Sequence, residues 1–429
     1  MACAMKNALR QQLDNGMTLV AAPAPGAAVF TAMLVLEAGS RYDPPGGSGL
    51  ASLVGGLITE GAGDLSSNDI ALAVDALGSS LDVITGYETT ALIATGLAEH
   101  CGASLDLMSV VATIPRLSQR DLTEGVRRQI ADLAEDEGQA YTACRRDFMR
   151  TVFRGHPREN PVDGTVPSLR SLTTDAARQF HSRNYQPGRA VLAVVGDMET
   201  PELLGLAERS FTDWRAEAGP AESPPLPVRQ TERRTSIREM SSSQIHMSMG
   251  NLSVSRSDPL YYATTVLDAV LGDSAGFGSR LATRLREERG LAYVVESDAA
   301  GSAGLEPGVF WAYTATSPAN LEPLIDGLME QLRLIRSEPP TDEEFQCAIA
   351  YLKGRDLLEH ETTDAVAGRL VHIERHGLGF GFDDRYPAII SEVTREDVLE
   401  AARRVIDTDL YSLAMVGPVD ATRVAALLP

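Results

Sequence analysis

Arg286 and Tyr293 stand seven residues apart, where a basic helix gives way to a strand. Leu281 and Leu285 mark one apolar face of that helix, and Gly290 is suited to end it in the left-handed conformation. A helix end that projects an arginine and a strand start that projects a tyrosine can aim both side chains at one ligand. A solvated basic helix followed by a tyrosine packed in the core gives the same pattern, so pattern alone leaves both interpretations open.

A second candidate is the histidine pair His372 and His376, in LVHIERH. A spacing of four places two imidazoles on one helical face, which is a metal-ligand spacing. The glutamate between them stands two residues after the first histidine, and an exposed helix face with charged neighbours has the same pattern. We favour the exposed face. For a metal site, a further ligand would have to approach, and His360, in LLEHETT, is a candidate.

Two similar halves must position these residues. The proline-rich segment 216–234, AEAGPAESPPLPVRQTERR, breaks the hydrophobic periodicity and predicts a linker between a first domain, 1–215, and a second, 235–429. SLTTDAARQF…RAVLAVVGD before the linker is echoed after it by SEVTREDVLE…LYSLAMVGP. Thr173 and Thr394 lie 221 residues apart, as do Gly196 and Gly417. The sequence therefore predicts two copies of one module.

Each copy combines strands and helices in a similar order. Opening strands such as MTLVAAP and FTAMLVLEAG are followed by helices, alternating strands, more helices and a final apolar strand, AVLAVVGDM in the first copy. Antiparallel strands followed by runs of helices predict an α+β fold rather than a doubly wound parallel sheet.

Composition excludes several functional classes. The 429 residues include 59 acidic and 38 basic side chains, and a formal net charge of −21 repels phosphate backbones and anionic lipids. The four cysteines show no CxxC spacing, which favours a reducing compartment. The first residues lack the apolar core of a signal peptide, and the longest nearly apolar run, 27–36, is shorter than the roughly 20 residues of a spanning helix. We expect a cytoplasmic protein that binds neither nucleic acid nor membranes.

Three ordered segments resemble the insulinase, or pitrilysin, family of zinc peptidases: GSRYDPPGGSGLASLVGGLITEGAG, RNYQPGRAVLAVVGDME and LGDSAGFGSRLATRLREERGLAYVVES. The resemblance is spread over nearly the whole chain. It is strongest to short-chain members, such as mitochondrial processing peptidase and bacterial two-subunit peptidases. It implies two homologous α+β domains, each with an antiparallel-rich sheet and packed helices. It also implies that the chain pairs with a second such chain, as half of a clamshell around an unfolded peptide.

The zinc signature of active members, H-x-x-E-H, is missing from the helix that follows Gly-Leu-Ala at 49–51. In that signature two histidines hold Zn²⁺ and the glutamate is the general base. Ser52, Gly55 and Gly56 occupy the matching positions, and none of them can ligate zinc or take a proton from water.

The third zinc ligand of the family, a glutamate, falls near Gln129 in VRRQIADL. A shifted alignment would place it on Glu124 or Glu135. A lone carboxylate would not restore the site, so we expect that this chain binds no zinc and no other cofactor.

The resemblance maps a catalytic arginine of the family onto Arg286 and a catalytic tyrosine onto Tyr293. In the family the tyrosine hydroxyl donates to the oxyanion and the arginine anchors the substrate. Short-chain members assemble their site between subunits, with zinc on one chain and the Arg/Tyr pair on the other. The resemblance therefore implies a non-zinc-binding subunit of a heterodimeric zinc metalloendopeptidase, inactive alone, whose homologous partner carries H-x-x-E-H and the zinc.

Two alternatives to this role are a catalytically inactive scaffold and a subunit that binds peptides without cutting them. Retention of both Arg286 and Tyr293 favours the peptidase subunit, because a scaffold has no use for an oxyanion donor. A homodimer would hold two such pairs and no zinc, and is expected to be inert.

The segment 271–279, LGDSAGFGS, is rich in glycine but lacks the spacing of phosphate-binding loops. Non-catalytic processing-peptidase subunits have a similar glycine-rich loop that is thought to touch substrate. Gly272, Gly276 and Gly278 are therefore weak candidates for substrate binding, with an ordinary turn as the alternative.

Overall fold

The computed structural model describes residues 6–215, 224–273 and 278–427. Its strands, in chain order, are β1 Leu9–Gln12, β2 Thr18–Pro23, β3 Val29–Leu36, β4 Gly61–Ala62, β5 Leu65–Ser66, β6 Ser80–Thr85, β7 Thr90–Leu97, β8 Ala190–Gly196, β9 Arg234–Glu239, β10 Ile245–Leu252, β11 Val294–Asp298, β12 Val309–Thr316 and β13 Ser412–Gly417.

The α-helices are α1 Leu50–Leu57, α2 Ser67–Ala76, α3 Cys101–Thr113, α4 Gln119–Glu137, α5 Ala140–Val152, α6 Val166–Ser171, α7 Thr174–Asn184, α8 Thr200–Phe211, α9 Tyr261–Asp268, α10 Leu321–Ser337, α11 Asp342–Leu358, α12 Thr363–Arg375, α13 Phe382–Glu392, α14 Arg395–Val405 and α15 Ala421–Leu427. Two further turns, Ala269–Asp273 and Ala282–Glu287, are π-helical.

Two compact units make up the chain, and each is assembled from three separate segments. The first unit comprises Met1–Leu133, Asn160–Pro224 and Asp356–Asp384. The second comprises Ala134–Glu159, Pro225–Arg355 and Arg385–Pro429.

The first unit is built on a sheet with the strand order β1-β2-β8-β3-β7-β6. Its pairs are antiparallel except for β2 with β8, which is parallel. The central strands read as continuous apolar runs, such as VFTAMLVL in β3, because both of their faces are covered. β6, at the sheet edge, alternates exposed and half-buried residues. One core packs between the sheet and the helices α1, α3, α7 and α8.

The second unit repeats this topology. Its sheet has the order β11-β12-β10-β13-β9, with antiparallel pairs except for the parallel pair β13 and β9. The parallel pair takes the place of β2 and β8, and the edge strand β11 takes the place of β6. The core lies between the sheet and the helices α9, α10, α11 and α14. The predicted α+β fold of two homologous copies with antiparallel-rich sheets is confirmed.

The second face of each sheet is covered by a helix from the other half of the sequence. Helix α5 packs on β10 and β13 of the second sheet, where Cys144, Phe148 and Val152 are buried. Helix α12 packs on β3 and β8 of the first sheet, and the Thr363 and Thr31 hydroxyls lie 2.9 Å apart.

The compact units therefore differ from the contiguous domains predicted from the sequence, 1–215 and 235–429. Residues 134–159 belong to the second unit and residues 356–384 to the first. The sequence repeat predicts the order of strands and helices in each half. It does not predict which sheet each helix covers, because that depends on the path of the folded chain. Of the predicted linker, 216–223 lies outside the described residues.

In the part of the chain that the structure describes, each helix is too short or too polar to cross a lipid bilayer. The cytoplasmic location stays a prediction.

Candidate functional site

Helix α1 carries the residues that the sequence resemblance aligns with the zinc signature. Gly49 precedes the helix with a φ of 92°, a conformation that glycine adopts without steric cost. The Asp43 carboxylate accepts hydrogen bonds from the backbone N–H groups of Gly49 and Ala51, both at 2.8 Å. These bonds satisfy donors that a helix start leaves unpaired. Burial raises the pKa of Asp43 to about 7, although the backbone bonds oppose the rise.

Three positions of the absent signature follow along α1. The Ser52 hydroxyl donates to the Asp163 carboxylate at 2.8 Å. Gly55 is buried, and a Cβ there would lie 2.4 Å from the Thr85 hydroxyl on β6. Gly56 is exposed and faces open space.

Gln129, on α4, contacts Asp163 as Ser52 does. Its amide nitrogen donates to the Asp163 carbonyl at 2.8 Å and approaches the Gly49 carbonyl at 3.4 Å. By contrast Glu124 is ion-paired with Arg127 on the exposed side of α4. Which of Gln129, Glu124 and Glu135 corresponds to the third ligand of the family stays a prediction. We call Ser52, Asp163 and Gln129 the polar cluster.

The polar cluster does not fit a catalytic zinc ion. The Ser52 hydroxyl and Gln129 amide are engaged with Asp163, and two glycines offer no side-chain donor. Zinc sites in proteins use Cys, His and carboxylate ligands. Among residues 6–215, 224–273 and 278–427, no three such side chains come together as a metal site requires. Absence of bound zinc stays a prediction, and only a metal measurement tests it.

Arg286 lies on the π-helical turn Ala282–Glu287 of the second unit. The Glu288 N–H donates to the Thr283 carbonyl, five residues earlier, which widens the turn. Gly290 follows with a φ of 60°, so the predicted left-handed helix end is confirmed. Its N–H donates to the Arg286 carbonyl at 3.0 Å.

Tyr293 leads directly into the edge strand β11, and its side chain is 77% exposed. Its N–H donates to the Ala315 carbonyl at 3.1 Å, so the backbone is paired while the phenol ring faces solvent. The Arg286 guanidinium donates to the Glu287 carboxylate at 2.8 Å. The Arg286 side chain is 25% exposed, against 52% for the Glu287 side chain. The alternative that Tyr293 packs in the core is therefore wrong.

The glycine-rich segment has a partly structural explanation. A Cβ on Gly272 would lie 2.5 Å from the Ser297 backbone nitrogen, so close packing on β11 requires glycine there. Gly278 has open space around it. Gly276 lies outside the described residues. Contact with substrate stays a prediction for all three.

His372 and His376 lie at the end of α12 with their ring centroids 4.7 Å apart. His360 is engaged elsewhere, since its Nε2 atom lies 3.4 Å from the Asp383 carboxylate. The Asp383 contact raises the pKa of His360, against the effect of burial. The structure therefore gives His360 a partner other than the histidine pair.

The chain matches two domain models of one protein family. Residues 19–166 match the model described as insulinase (peptidase family M16), and residues 171–352 match the model described as peptidase M16 inactive domain. Together the two models span most of the chain. The chain belongs to the insulinase family. The resemblance seen in the three sequence segments is thereby confirmed.

Relatives in the insulinase family match over nearly their full length. A protein of Streptomyces coelicolor named an uncharacterized zinc protease is 29% identical over 420 residues, which are 96% of this chain and 89% of that protein. A Bacillus subtilis protein, also named an uncharacterized zinc protease, is 25% identical over 417 residues, covering 95% and 98%.

Solved structures show the same insulinase-family fold. The peptidase M16 inactive domain from Pseudomonas fluorescens has a TM-score of 0.87 at 22% identity, covering 97% of this chain and 98% of that one. A protease from Helicobacter pylori has a TM-score of 0.88 at 18% identity, covering 95% and 99%.

Sequence reasoning missed Asp163, the acceptor at the centre of the polar cluster. Asp163 and Gly164 lie in a short loop, and a Cβ on Gly164 would lie 2.4 Å from the Ser48 carbonyl. Asp-Gly signals a turn, but its contact with α1 spans more than 100 residues of sequence, for which a single sequence gives no signal.

Proposed function

We propose that this chain is the non-zinc-binding subunit of a heterodimeric zinc metalloendopeptidase. It supplies Arg286 and Tyr293 to a site whose zinc and general base belong to a homologous partner with H-x-x-E-H. The single observation that carries this proposal is the exposed Tyr293 phenol on a hydrogen-bonded backbone, in a chain whose own signature positions lack metal ligands.

The exposure of Tyr293 leaves its ring available for a role other than core packing. The ring gains little from burial at 77% exposure, and a large aromatic side chain facing water adds nothing to the core. A phenol hydroxyl held toward solvent is available to donate a hydrogen bond to a bound molecule. In the proposed role it donates to the oxyanion that forms when the peptide carbonyl is attacked.

The neighbouring edge strand suits a peptide substrate. β11 ends the second sheet, so one side of its backbone is unpaired within the described sheet. An extended peptide can add to such an edge through main-chain hydrogen bonds, a mode that tolerates varied sequences. Arg286, close in sequence to this edge, anchors the peptide by charge and by its planar donors.

The first experiment identifies the partner. The chain is captured from its own cells under native conditions, and proteins bound at stoichiometric level are identified by mass spectrometry. A similar-sized chain with H-x-x-E-H supports the proposal. Return of this chain alone, or with unrelated proteins, contradicts it.

The second experiment tests the two side chains in the purified complex. Arg286→Ala with Tyr293→Phe is expected to lower kcat/KM for peptide cleavage by about 10²-fold or more, because an oxyanion donor alone contributes about 10²–10³. Assembly with the partner, measured by size-exclusion chromatography, is expected to stay unchanged.

A matched control makes the same chemical changes elsewhere on the second unit. Arg284→Ala with Tyr141→Phe alters an exposed arginine and a 40% exposed tyrosine, and is expected to retain cleavage. If the first pair leaves turnover unchanged, this chain is a scaffold. If peptides bind but the complex cuts none, it is a peptide-binding subunit.

A further inference from the structure

Three hydrogen bonds, two between backbone groups and one from a side chain, fix the short segment between Arg286 and Tyr293. The Leu291 N–H donates to the Leu285 carbonyl at 2.8 Å, and the Leu291 carbonyl accepts from the Thr316 hydroxyl at 2.6 Å. The Tyr293 N–H then donates to the Ala315 carbonyl at 3.1 Å. Of these bonds, only the one from Thr316 depends on the type of a side chain.

Thr316 is the last residue of β12, and it is 2% exposed. Thr314 lies two residues earlier on the same face of the strand and is 0% exposed. The hydroxyl of Thr314 has no hydrogen-bond partner in the described structure. The two threonines are thus matched in strand, face and burial, and differ in whether the hydroxyl holds the segment before Tyr293.

The direction of the Tyr293 ring depends on its backbone. At 77% exposure, the ring has little packing to hold it, so its position relative to a substrate follows the position of its Cα atom. A second, longer contact supports the same segment, since the Asn320 amide approaches the Gly290 carbonyl at 3.4 Å.

We infer that Thr316 is a positioning residue for Tyr293, acting through its hydrogen bond to the Leu291 carbonyl. This inference rests on the proposed function, because it assigns Thr316 a part in the same oxyanion site. A small displacement of a reacting group can cost up to about 10²-fold in rate. Loss of the bond therefore lowers the rate of the chemical step and leaves substrate binding nearly unchanged.

The test compares Thr316→Val, Thr316→Ser and Thr314→Val in the complex purified with its partner. Thr316→Val keeps the side-chain shape and removes the donor, and is expected to lower kcat about 10-fold with KM within about twofold. Thr316→Ser retains the hydroxyl and is expected to restore kcat to within about twofold of the wild type. Thr314→Val removes a hydroxyl that bonds to nothing and is expected to leave kcat unchanged.

Amide hydrogen exchange of the full chain without its partner gives a second readout. A peptide covering residues 288–293 is expected to exchange faster in Thr316→Val than in the wild type. Thr314→Val is expected to match the wild type. If Thr316→Val does not fold, Thr316→Ala replaces it in both measurements, because it also lacks the donor.

The proposed function and this inference fail in different ways. If Tyr293→Phe leaves cleavage unchanged, the proposed function is wrong, and hydrogen exchange still shows whether Thr316 holds the segment. If Tyr293→Phe lowers cleavage but the Thr316 variants change neither kcat nor exchange, this inference alone is wrong. A rise in KM without a fall in kcat also overturns it, because substrate binding and not positioning would then depend on Thr316.

Discussion

Hydrogen bonding to Asp163 joins two of the positions that the sequence resemblance aligns with the zinc ligands of the family. Ser52 and Gln129, which come from two different helices, both donate to this one residue. A serine hydroxyl and an amide nitrogen are donors here, whereas a zinc ligand must present a lone pair to the metal. The polar cluster therefore links α1, α4 and the loop at 160–165 by contacts that need no metal.

Asp43 gives this region a stability that depends on pH. Burial raises the pKa of Asp43 to about 7, whereas an unfolded aspartate titrates near 3.9. The stabilising contribution of this carboxyl is therefore complete below the unfolded pKa and is lost as the pH rises to 7. We expect Asp43→Asn to lack this dependence. The free energy of unfolding of the wild type should therefore fall, relative to that of the variant, by about 1.4 kcal/mol for each unit that the pH rises towards 7. Urea unfolding from pH 5 to pH 8 measures the difference.

Asp69 provides the control for this experiment. It also caps a helix, but it is exposed, and its bonds with Ser66 lower the pKa of its carboxyl. Asp69→Asn is therefore expected to leave the slope between pH 5 and pH 8 unchanged. Parallel curves for wild type and Asp43→Asn would show that Asp43 is ionised throughout this range.

Helix α1 packs closely against β6, and its glycines, Gly55 and Gly56, have different surroundings. A Cβ at Gly55 would meet the Thr85 hydroxyl at 2.4 Å, whereas a Cβ at Gly56 would meet nothing within 4 Å. A larger side chain at position 55 would therefore have to displace the Thr85 hydroxyl.

The two glycines predict opposite effects of one substitution. Gly55→Ala is expected to destabilise the protein by about 1–3 kcal/mol, because the added methyl group is forced into a packed contact. Gly56→Ala, its matched control on the same helix, is expected to be neutral or to stabilise by up to about 1 kcal/mol, since alanine favours helix. Thermal unfolding of both variants measures the difference. Equal effects would mean that α1 shifts away from β6 easily.

Secondary structure near the site was predictable where local chemistry dictates it. The strand that follows Tyr293 and the left-handed Gly290 follow from apolar alternation and from the missing Cβ of glycine. The π-helical turn under Arg286 was not predictable, because the spacing of Leu281 and Leu285 fits an α-helical turn equally well. The absence of the zinc signature was readable from three residues, but the Thr85 contact behind Gly55 was not.

At the scale of the whole molecule, the repeat was visible in the sequence and the exchange of helices was not. The fully buried pattern of β12 and β13 indicates that both faces of their sheet are covered. This pattern predicts a covering helix without saying which one. The covering helices turn out to be α5 and α12, and each comes from the half of the chain that does not supply the sheet.

Because each sheet is covered by a helix from the other half of the chain, we expect that neither half folds alone. Residues 1–215 expressed alone lack α12, so an apolar face of the first sheet is exposed, and we expect aggregation without cooperative unfolding. Residues 224–429 alone lack α5 and are expected to behave in the same way. Co-expression of both fragments is expected to give a soluble complex that co-purifies through a tag on either one.

Fragments redrawn along the compact units supply the control. Residues 1–133 joined through flexible linkers to 160–224 and then to 356–384 restore the first unit and are expected to unfold cooperatively in urea. A soluble, cooperatively unfolding fragment 1–215 without residues 356–384 would show that α12 is dispensable for the first sheet.

The late position of α12 also sets an order of events during synthesis on the ribosome. The first sheet is translated by residue 196, yet the helix that covers its second face ends at residue 375. At about 5–20 residues per second, the nascent first unit waits roughly 10–35 s with an apolar face uncovered. Throughout that interval the growing chain offers a binding surface to chaperones, and translation speed between the two segments becomes a determinant of yield.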